Sequence, residues 1–222
     1  QSIYFNSNCV SLKKYILRDD KSGIIAEFKR KSPSKGNINT YADLEKVTIG
    51  YMQAGASALS VLTDNHFFGG KNSDLITARK FNFCPILRKD FTVSEYQIIE
   101  AKSIGADAIL LIAAVLTKEE ITQFSKLAFQ LGMEVLLEIH TQEELDKYIP
   151  EISLVGINNR NLKTFEVDYE NSIRLANQLP ESTVKIAESG INNPKKIMDL
   201  KNYGFDGFLI GENFMKTAEP EI

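Results

Sequence analysis

The sequence has no tryptophan, two cysteines and two histidines in 222 residues, and these scarcities exclude several kinds of site. Cys9 and Cys84 show neither a metal-binding nor a redox spacing, so we expect free thiols in a reduced, cytoplasmic setting. His66 and His140 are far apart and lack a third ligand at a suitable spacing, so we predict no zinc site.

The sequence also lacks a strong charge of either sign and any long apolar run. Its net charge is -3 and its pI about 5.6, which argues against general binding to nucleic acid or to an anionic membrane. The longest apolar run, 108–116, is too short to span a bilayer, and no secretory signal pattern opens the chain. We therefore predict a soluble globular protein that has neither nucleic acid nor a membrane as its partner.

What the sequence does contain is a repeating pattern of short apolar runs, each followed by a helical segment. The runs cover 24–26, 58–63, 85–90, 108–113, 134–139, 154–160, 184–190 and 205–210. Regular alternation of strand and helix indicates parallel strands, and eight units in a chain of this length favour a closed (β/α)8 TIM barrel. No Gly-x-Gly-x-x-Gly follows the first run, and no linker divides the chain. We predict one barrel domain, 1–222, with a short helical N-terminal segment, 1–22.

Several helix boundaries can be predicted from capping residues. Ser73 and Ser94 are expected to cap helices, and Thr117 forms a capping box with Glu120. Residues 64–70 are expected to form a loop.

Polar residues follow most of the apolar runs, where a parallel barrel has its active site. In the stretch 23–36, an apolar strand ends in charged residues two positions apart and opens onto a basic loop. The polar residues collected from the strand ends are Glu27, Lys29, Lys89, Glu138, Asn158, Arg160 and Glu188. Solvated rim residues could give the same pattern, but charges from five of eight strands indicate a shared site.

The last two loops each place a glycine just beyond a strand and before a helix. Gly190 and Gly211 would let backbone N–H groups approach a phosphate, as loops after the seventh and eighth strands of such barrels commonly do. Lys29, Lys89 and Arg160 exceed what one phosphate needs, which indicates a further carboxylate or a developing oxyanion. These residues alone leave the reaction open.

With these residues collected, the chain resembles the indole-3-glycerol phosphate synthase family. The most specific matches are Lys31-Ser32-Pro33-Ser34 and Arg88-Lys89-Asp90-Phe91. The matching stretches, in order along nearly the whole chain, are 25–36, 59–63, 85–91, 136–139, 156–162, 187–191 and 209–212.

The resemblance implies a reaction of tryptophan biosynthesis that needs no metal or organic cofactor. The substrate would be 1-(o-carboxyphenylamino)-1-deoxyribulose 5-phosphate, and the products indole-3-glycerol phosphate, carbon dioxide and water. The enzyme would be a carboxy-lyase that acts on a small phosphorylated molecule, and we expect a monomer or a weak homo-oligomer.

The resemblance also implies residue roles. Lys89 would be the general acid for ring closure, Glu138 would stabilise the developing cation, and Lys29 with Glu27 would anchor the substrate and assist dehydration. The further catalytic positions would be Asn158 and Glu188. The substrate would contact Ser32, Phe68, Arg160 and Ser189, and its phosphate would contact Gly190, Gly211 and Glu212.

Two alternatives stay open at this stage. One is another phosphate-binding barrel enzyme, such as phosphoribosylanthranilate isomerase, whose chemistry uses a Cys or Asp acid–base pair. The other is a non-catalytic phosphate-binding barrel. Family members usually carry a longer N-terminal extension that helps to cover the site, so we expect residues 1–22 to be part of a truncated lid region.

Overall fold

A computed structural model describes residues 2–160 and 166–220 of the chain. In these residues eight parallel strands close into a barrel, in which the last strand pairs with the first. The predicted (β/α)8 barrel is confirmed. The strands are β1 (Ile24–Phe28), β2 (Ala58–Leu62), β3 (Ile86–Lys89), β4 (Ala108–Ile112), β5 (Glu134–Ile139), β6 (Leu154–Asn158), β7 (Val184–Glu188) and β8 (Gly207–Ile210).

Helices of very different length accompany these strands; one precedes the first strand, and the others follow strands of the barrel. They are α1 (Leu12–Ile16), α2 (Leu44–Gln53), α3 (Asn65–Phe68), α4 (Asn72–Phe81), α5 (Glu95–Ile104), α6 (Lys118–Gln130), α7 (Gln142–Leu145), α8 (Tyr169–Ala176), α9 (Pro194–Asn202) and α10 (Glu212–Met215). The capping box of Thr117 and Glu120 is present at the start of α6, as predicted.

The structure corrects three local expectations. The segment 64–70 contains the short helix α3, because the Asp64 side chain accepts a hydrogen bond from the Phe67 N–H and Gly69 ends the turn at a φ of 67°. Helix α4 begins after Lys71 instead of at Ser73. Ser94 precedes α5 as predicted, but its side chain makes no capping hydrogen bond.

The basic loop after β1 also has regular structure that was not expected. Residues Lys31–Ser32 and Gly36–Asn37 pair as a small antiparallel hairpin. A hairpin fixes the direction in which Ser32 and its neighbours face, because strand pairing orders both arms of the loop.

Each barrel strand alternates between two apolar environments. Outward residues pack against the helices in one large cluster, and inward residues form a second cluster along the barrel axis. In β1, for example, Ile25 lies in the inner cluster, whereas Ala26 and Phe28 lie in the outer one. The alternation therefore decides which side chain at each strand end points into the mouth of the barrel.

The N-terminal segment closes the other end of the barrel. Leu12 and Ile16 of α1 are buried in the inner cluster, and Ser11 Oγ donates a hydrogen bond of 2.6 Å to Glu134 at the start of β5. The Val10 N–H donates to Asp107, just before β4, at 2.8 Å. Residues 10–16 therefore contact strand beginnings and the inner cluster, and these contacts give no support to the expected lid role.

We predict that Leu12→Ala lowers the stability of the protein without changing the turnover of the folded enzyme. Leu12 is fully buried, and loss of such a side chain leaves a cavity that costs about 2–5 kcal/mol. Urea unfolding measures the loss, with the exposed Lys14→Ala of the same helix as the matched control. A stability equal to that of the control would show that α1 is not part of the core.

Candidate active site

A cavity of about 690 Å³ opens at the carboxyl ends of the strands. Its wall includes every site residue predicted from the sequence. These residues are Glu27, Lys29, Ser32, Phe68, Lys89, Glu138, Asn158, Arg160, Glu188, Ser189, Gly190, Gly211 and Glu212. The remainder of one matching motif, residues 161 and 162, lies outside the described residues.

The centre of the cavity floor is a layer of four charged side chains from alternate strands. Glu27, Lys89, Glu138 and Glu188 belong to β1, β3, β5 and β7, and each lies two positions after an inward apolar residue of the same strand. An eight-stranded barrel fills its interior with layers of four side chains from alternate strands. Here the uppermost layer on these strands is ionic instead of apolar.

Lys89 is the hub of this layer. Its Nζ lies 3.0 Å from Glu138 Oε2 and 2.5 Å from Glu188 Oε2. Burial alone would lower the pKa of Lys89, but the charges of Glu138, Glu188 and Glu27 outweigh burial and raise it. The side chain therefore keeps its proton at neutral pH.

The two carboxylates that contact Lys89 differ in their proton affinity. Burial by itself would raise the pKa of Glu138, but Lys89, His140 and a hydrogen bond from Asn158 outweigh it and lower the pKa to about 2. Burial raises the pKa of Glu188 to about 7, against the opposing effect of Lys89. Glu188 Oε1 is buried and has no hydrogen-bond partner among the described residues, which accounts for its weaker stabilisation as an anion. Glu188 can thus gain or lose a proton near neutral pH.

A second ion pair lies beside this layer. Lys29 Nζ is 2.8 Å from Glu27 Oε1, as expected for charges two positions apart at the end of a strand. Ser60 of the neighbouring strand β2 lies 3.4 Å from Glu27 Oε2. The pair keeps the charge of Glu27 compensated, although that carboxylate is buried.

Arg160 connects distant loops across the cavity. It donates to Ser34 of the hairpin loop at 3.0 Å and to Glu212 at 3.2 Å. The Asn158 side chain links Arg160 to the charged layer. Its Nδ2 donates to Glu138 Oε1 at 3.1 Å, and its Oδ1 accepts from the backbone N–H of Arg160 at 3.0 Å. Arg160 Nε is buried without a hydrogen-bond partner in the described part of the chain.

The loop after β7 has an unusual backbone. Ser189 has a φ of 65° and Gly190 a φ of 74°, and Ser189 is the one non-glycine residue with positive φ in the described residues. The Ser189 carbonyl accepts from Asn159 and the Gly190 carbonyl from Tyr169. Strain held in place by such contacts is typical of functional sites.

Two glycines make room for the carboxylates of the central layer. A Cβ atom on Gly211 would lie 2.5 Å from Glu27 Oε1, and one on Gly156 would lie 2.0 Å from Glu188 Oε1. Gly211, expected only as a site of phosphate approach, is thus also required by Glu27. Gly156 was not predicted as a site residue, although a glycine at an inward strand position signals a close approach.

Aromatic side chains form an apolar wall on the side of β2 and β3. The ring of Phe91 lies 6.2 Å from that of Phe68 and 5.6 Å from that of Phe67. Phe68 and Phe91 line the cavity, whereas Phe67 is 47% exposed and does not. Ser32 belongs to the hairpin after β1 and lines the cavity as a buried residue, with its Oγ 3.4 Å from Ser34 Oγ.

Further residues near the cavity were missed as site residues. Asp90 and Lys216 line the wall, and His140 lies directly behind Glu138. The strand alternation signals His140, because it lies two positions after Glu138. No group of three His, Cys, Asp or Glu residues in 2–160 and 166–220 is arranged to hold a metal ion.

Comparison with known proteins identifies the family. The sequence-family model of indole-3-glycerol phosphate synthase matches residues 2–222 of this chain. The chain belongs to the indole-3-glycerol phosphate synthase family. The function predicted from the sequence, that of a carboxy-lyase of tryptophan biosynthesis, is confirmed by this match.

Curated relatives agree along almost the whole chain. The chain is 54% identical over 210 residues to the indole-3-glycerol phosphate synthase of Bacteroides thetaiotaomicron. This alignment covers 95% of this chain and 80% of the relative. The chain is 44% identical over 207 residues to that of Acinetobacter baumannii, with 92% and 77% covered.

Solved structures support the fold. An N-acetylmannosamine-6-phosphate 2-epimerase from Clostridium perfringens has a TM-score of 0.65 at 16% identity, covering 87% of this chain and 88% of its own. A chain of the tryptophan synthase complex from Pyrococcus furiosus has the same score and identity, covering 90% and 94%. None of the helices in the described residues has the length and apolar character needed to cross a membrane.

Family membership decides against the isomerase and the non-catalytic barrel. The structure also places neither cysteine in the mouth, so neither Cys9 nor Cys84 can serve there as an acid or base. Cys9 is at the closed end, where its Sγ is 3.0 Å from Lys102 Nζ, and Cys84 is buried just before β3.

We predict that Gly156→Ala impairs turnover much more than stability. The added methyl group would displace Glu188, and a shift of about 1 Å at a reacting group can cost about 10²-fold in rate. The measurement is kcat together with the unfolding midpoint. Gly207→Ala is the matched control, since Gly207 is an inward glycine at the closed end of β8, where a Cβ would meet only aliphatic carbons and one carbonyl at 3.1 Å or more. Equal kcat values for the two variants would contradict the spatial role of Gly156.

Proposed function

We propose that this cavity closes the pyrrole ring of 1-(o-carboxyphenylamino)-1-deoxyribulose 5-phosphate, releasing carbon dioxide and water to give indole-3-glycerol phosphate. The observation that carries the proposal is the position of Lys89, a buried ammonium group held between two carboxylates on the floor of the cavity. No metal or organic cofactor is needed, because each step moves protons and electron pairs that these side chains and the substrate supply.

The substrate is proposed to lie across the mouth with its phosphate over the loops after β7 and β8. These strands are neighbours, so Gly190 and Gly211 follow adjacent strands. Glu212 would contribute its backbone N–H, because its carboxylate faces Arg160. The aromatic ring would rest against Phe68 and Phe91 at the apolar side of the cavity. Ser32, Ser189 and Arg160 Nε, which has no partner among the described residues, are further donors for the anionic groups of the substrate.

In the first chemical step the aromatic carbon that bears the carboxylate attacks the ketone carbon. The new C–C bond uses a π-electron pair of the ring, and the carbonyl electrons move to the ketone oxygen, which takes a proton from Lys89. A developing alkoxide is more basic than an amine, so Lys89 can act as the acid despite its raised pKa. The positive charge left on the ring and its nitrogen is stabilised by Glu138, which stays ionised.

The later steps restore the aromatic ring. The bond to the carboxylate breaks, carbon dioxide leaves, and its electron pair returns to the ring. Loss of the hydroxyl group as water then needs a proton donor and a proton acceptor. The Lys29–Glu27 pair is proposed to assist this step together with Glu188, whose pKa of about 7 suits proton exchange. Asn158 holds Glu138 in place throughout.

We predict that Lys89→Met and Glu138→Gln remove most of the indole-forming activity but retain substrate binding. A general acid contributes about 10²- to 10⁴-fold, and the Gln variant keeps the shape of Glu138 while losing its charge. The protein has no tryptophan, so indole fluorescence from the product appears over tyrosine emission alone, and carbon dioxide should be released in equal amount.

The control for both variants is Lys14→Ala, which lies on the exposed face of α1 at the closed end. Near-normal turnover of Lys89→Met would remove Lys89 from the mechanism. An absence of indole signal from the wild-type protein under the same conditions would refute the proposed reaction.

The pKa of Glu188 predicts a pH effect. If Glu188 accepts a proton, kcat should decline as the pH falls below about 7, because the carboxylate becomes protonated. Glu188→Gln should lower kcat and lose this acid limb, whereas Lys14→Ala should keep it. An acid limb unchanged in Glu188→Gln would assign the proton transfer to another group.

We propose a cytoplasmic location and a monomer or weak homo-oligomer. The free thiols of Cys9 and Cys84 support the first, and light scattering of the purified protein tests the second.

A further inference from the structure

His140 lies next to Glu138 of the charged layer but outside the cavity. It follows β5 directly, two positions after Glu138, and its side chain is only 9% exposed. It does not line the cavity.

The imidazole ring of His140 lies between two carboxylates. Nδ1 is 3.1 Å from Glu144 Oε2 on helix α7, and Nε2 is 3.4 Å from Glu138 Oε1. Nε2 is buried and has no hydrogen-bond partner in the described part of the chain, so the Glu138 carboxylate is the group it faces.

We propose that Glu144, His140 and Glu138 form a carboxylate–imidazole–carboxylate relay in which His140 is a positioning residue for Glu138. This inference deepens the proposed function, because it rests on the role given there to Glu138.

The relay favours the doubly protonated imidazole. A neutral imidazole has one N–H donor and one lone pair, so either tautomer would point a lone pair at a carboxylate oxygen. The imidazolium offers a donor to each. Burial alone would lower the pKa of His140, but Glu144, Glu138 and Glu188 outweigh it and raise the pKa above its ordinary value.

Several contacts fix the ring in this position. The His140 N–H donates to the same Glu144 oxygen at 2.7 Å, and the His140 carbonyl accepts from Asn171 Nδ2 on α8 at 2.9 Å. The charged groups that face the ring are therefore Glu138, Glu144 and Glu188, and Lys89 lies on the far side of Glu138.

The orientation of Glu138 then depends on two hydrogen-bond donors and on the imidazole of His140. Lys89 binds Oε2, while Asn158 and His140 both face Oε1. Loss of the His140 proton would leave a lone pair against one of the two carboxylates. As the pH rises through the pKa of His140, deprotonation of the imidazole therefore leaves Glu138 less well positioned. We expect kcat to decline on the alkaline side for this reason.

The first experiment observes the relay without turnover. The chain has two histidines, so proton NMR of the imidazole signals during a pH titration gives one curve for each, and His66→Gln assigns them. We expect the pKa of His140 to lie above the ordinary value for histidine and its midpoint to move down in Glu144→Gln. A midpoint at or below that ordinary value, or one that Glu144→Gln leaves unchanged, would overturn the relay.

The second experiment tests its effect on catalysis. Loss of the charged imidazole 3.4 Å from Glu138 Oε1 should lower kcat about tenfold or more in His140→Leu, with KM little changed. His140→Gln, which keeps a donor for Glu138, should recover part of the loss. In Glu144→Gln the alkaline limb of kcat should move to lower pH, together with the NMR midpoint of His140.

The control His66→Gln should keep both kcat and the pH profile. A kcat of His140→Leu within twofold of wild type, or an alkaline limb that does not follow the NMR midpoint, would refute the positioning role. If His140→Leu does not fold, the paired measurements on Glu144→Gln decide. Failure of the proposed reaction is distinguishable, since the NMR titration requires no product.

Discussion

The structure depends on the compensation of charge around Lys89. A buried ammonium group without partners would lose its proton, and buried carboxylates without partners would gain one. Here Lys89 contacts Glu138 and Glu188 at the same level of the barrel interior. One ammonium group cannot fully compensate the charge of both carboxylates, and the anionic forms of the two are stabilised to different degrees. Glu138 has Asn158 as a further donor and stays ionised, whereas one oxygen of Glu188 has no partner among the described residues and its pKa rises. The different acid–base properties of the two carboxylates thus follow from the groups around each, since the charge of His140 and the Asn158 donor both lower the pKa of Glu138.

The two ends of the barrel use polar groups in opposite ways. At the closed end, Asp107 accepts from the backbone N–H groups of Val10 and Ile86, and Asp206 accepts from that of Lys185. These carboxylates accept hydrogen bonds from backbone N–H groups near the starts of strands, and Asp107 also holds the segment just before α1. Both contacts stabilise the closed end. At the open end the side chains pair with one another and leave polar atoms such as Arg160 Nε without partners in the described residues. A substrate with anionic groups can therefore exchange its bonds to water for bonds to these atoms, which the closed end does not allow.

Much of this arrangement could be predicted from sequence because strands have a period of two and a closed barrel has one mouth. The residue Lys89 lies two positions after the inward Leu87, and similar spacings place Glu27, Glu138 and Glu188. The helix α3 and the hairpin after β1 were missed because short elements depend on contacts that no periodic pattern records. One such contact is the hydrogen bond from Lys31 Nζ to the His66 carbonyl at 2.7 Å. His140 was missed for another reason. Strand alternation places it on the same side as Glu138, but its other partner Glu144 lies four residues on, across a turn, and only the fold shows that both carboxylates face one ring.

The glycines of the mouth show why a charged layer can exist inside an eight-stranded barrel. Such an interior is normally filled by apolar side chains of matched size. At two places the charged side chains of this layer fill volume that a side chain from a neighbouring strand would otherwise occupy. Gly156 on β6 lies next to Glu188, and Gly211 after β8 lies next to Glu27. At either glycine an added methyl group would clash with the neighbouring carboxylate. The charged residues on β1 and β7 and the absent side chains on β6 and after β8 are therefore one structural feature. A sequence that kept the charges but replaced these glycines would have to move the carboxylates out of the layer that gives them their properties.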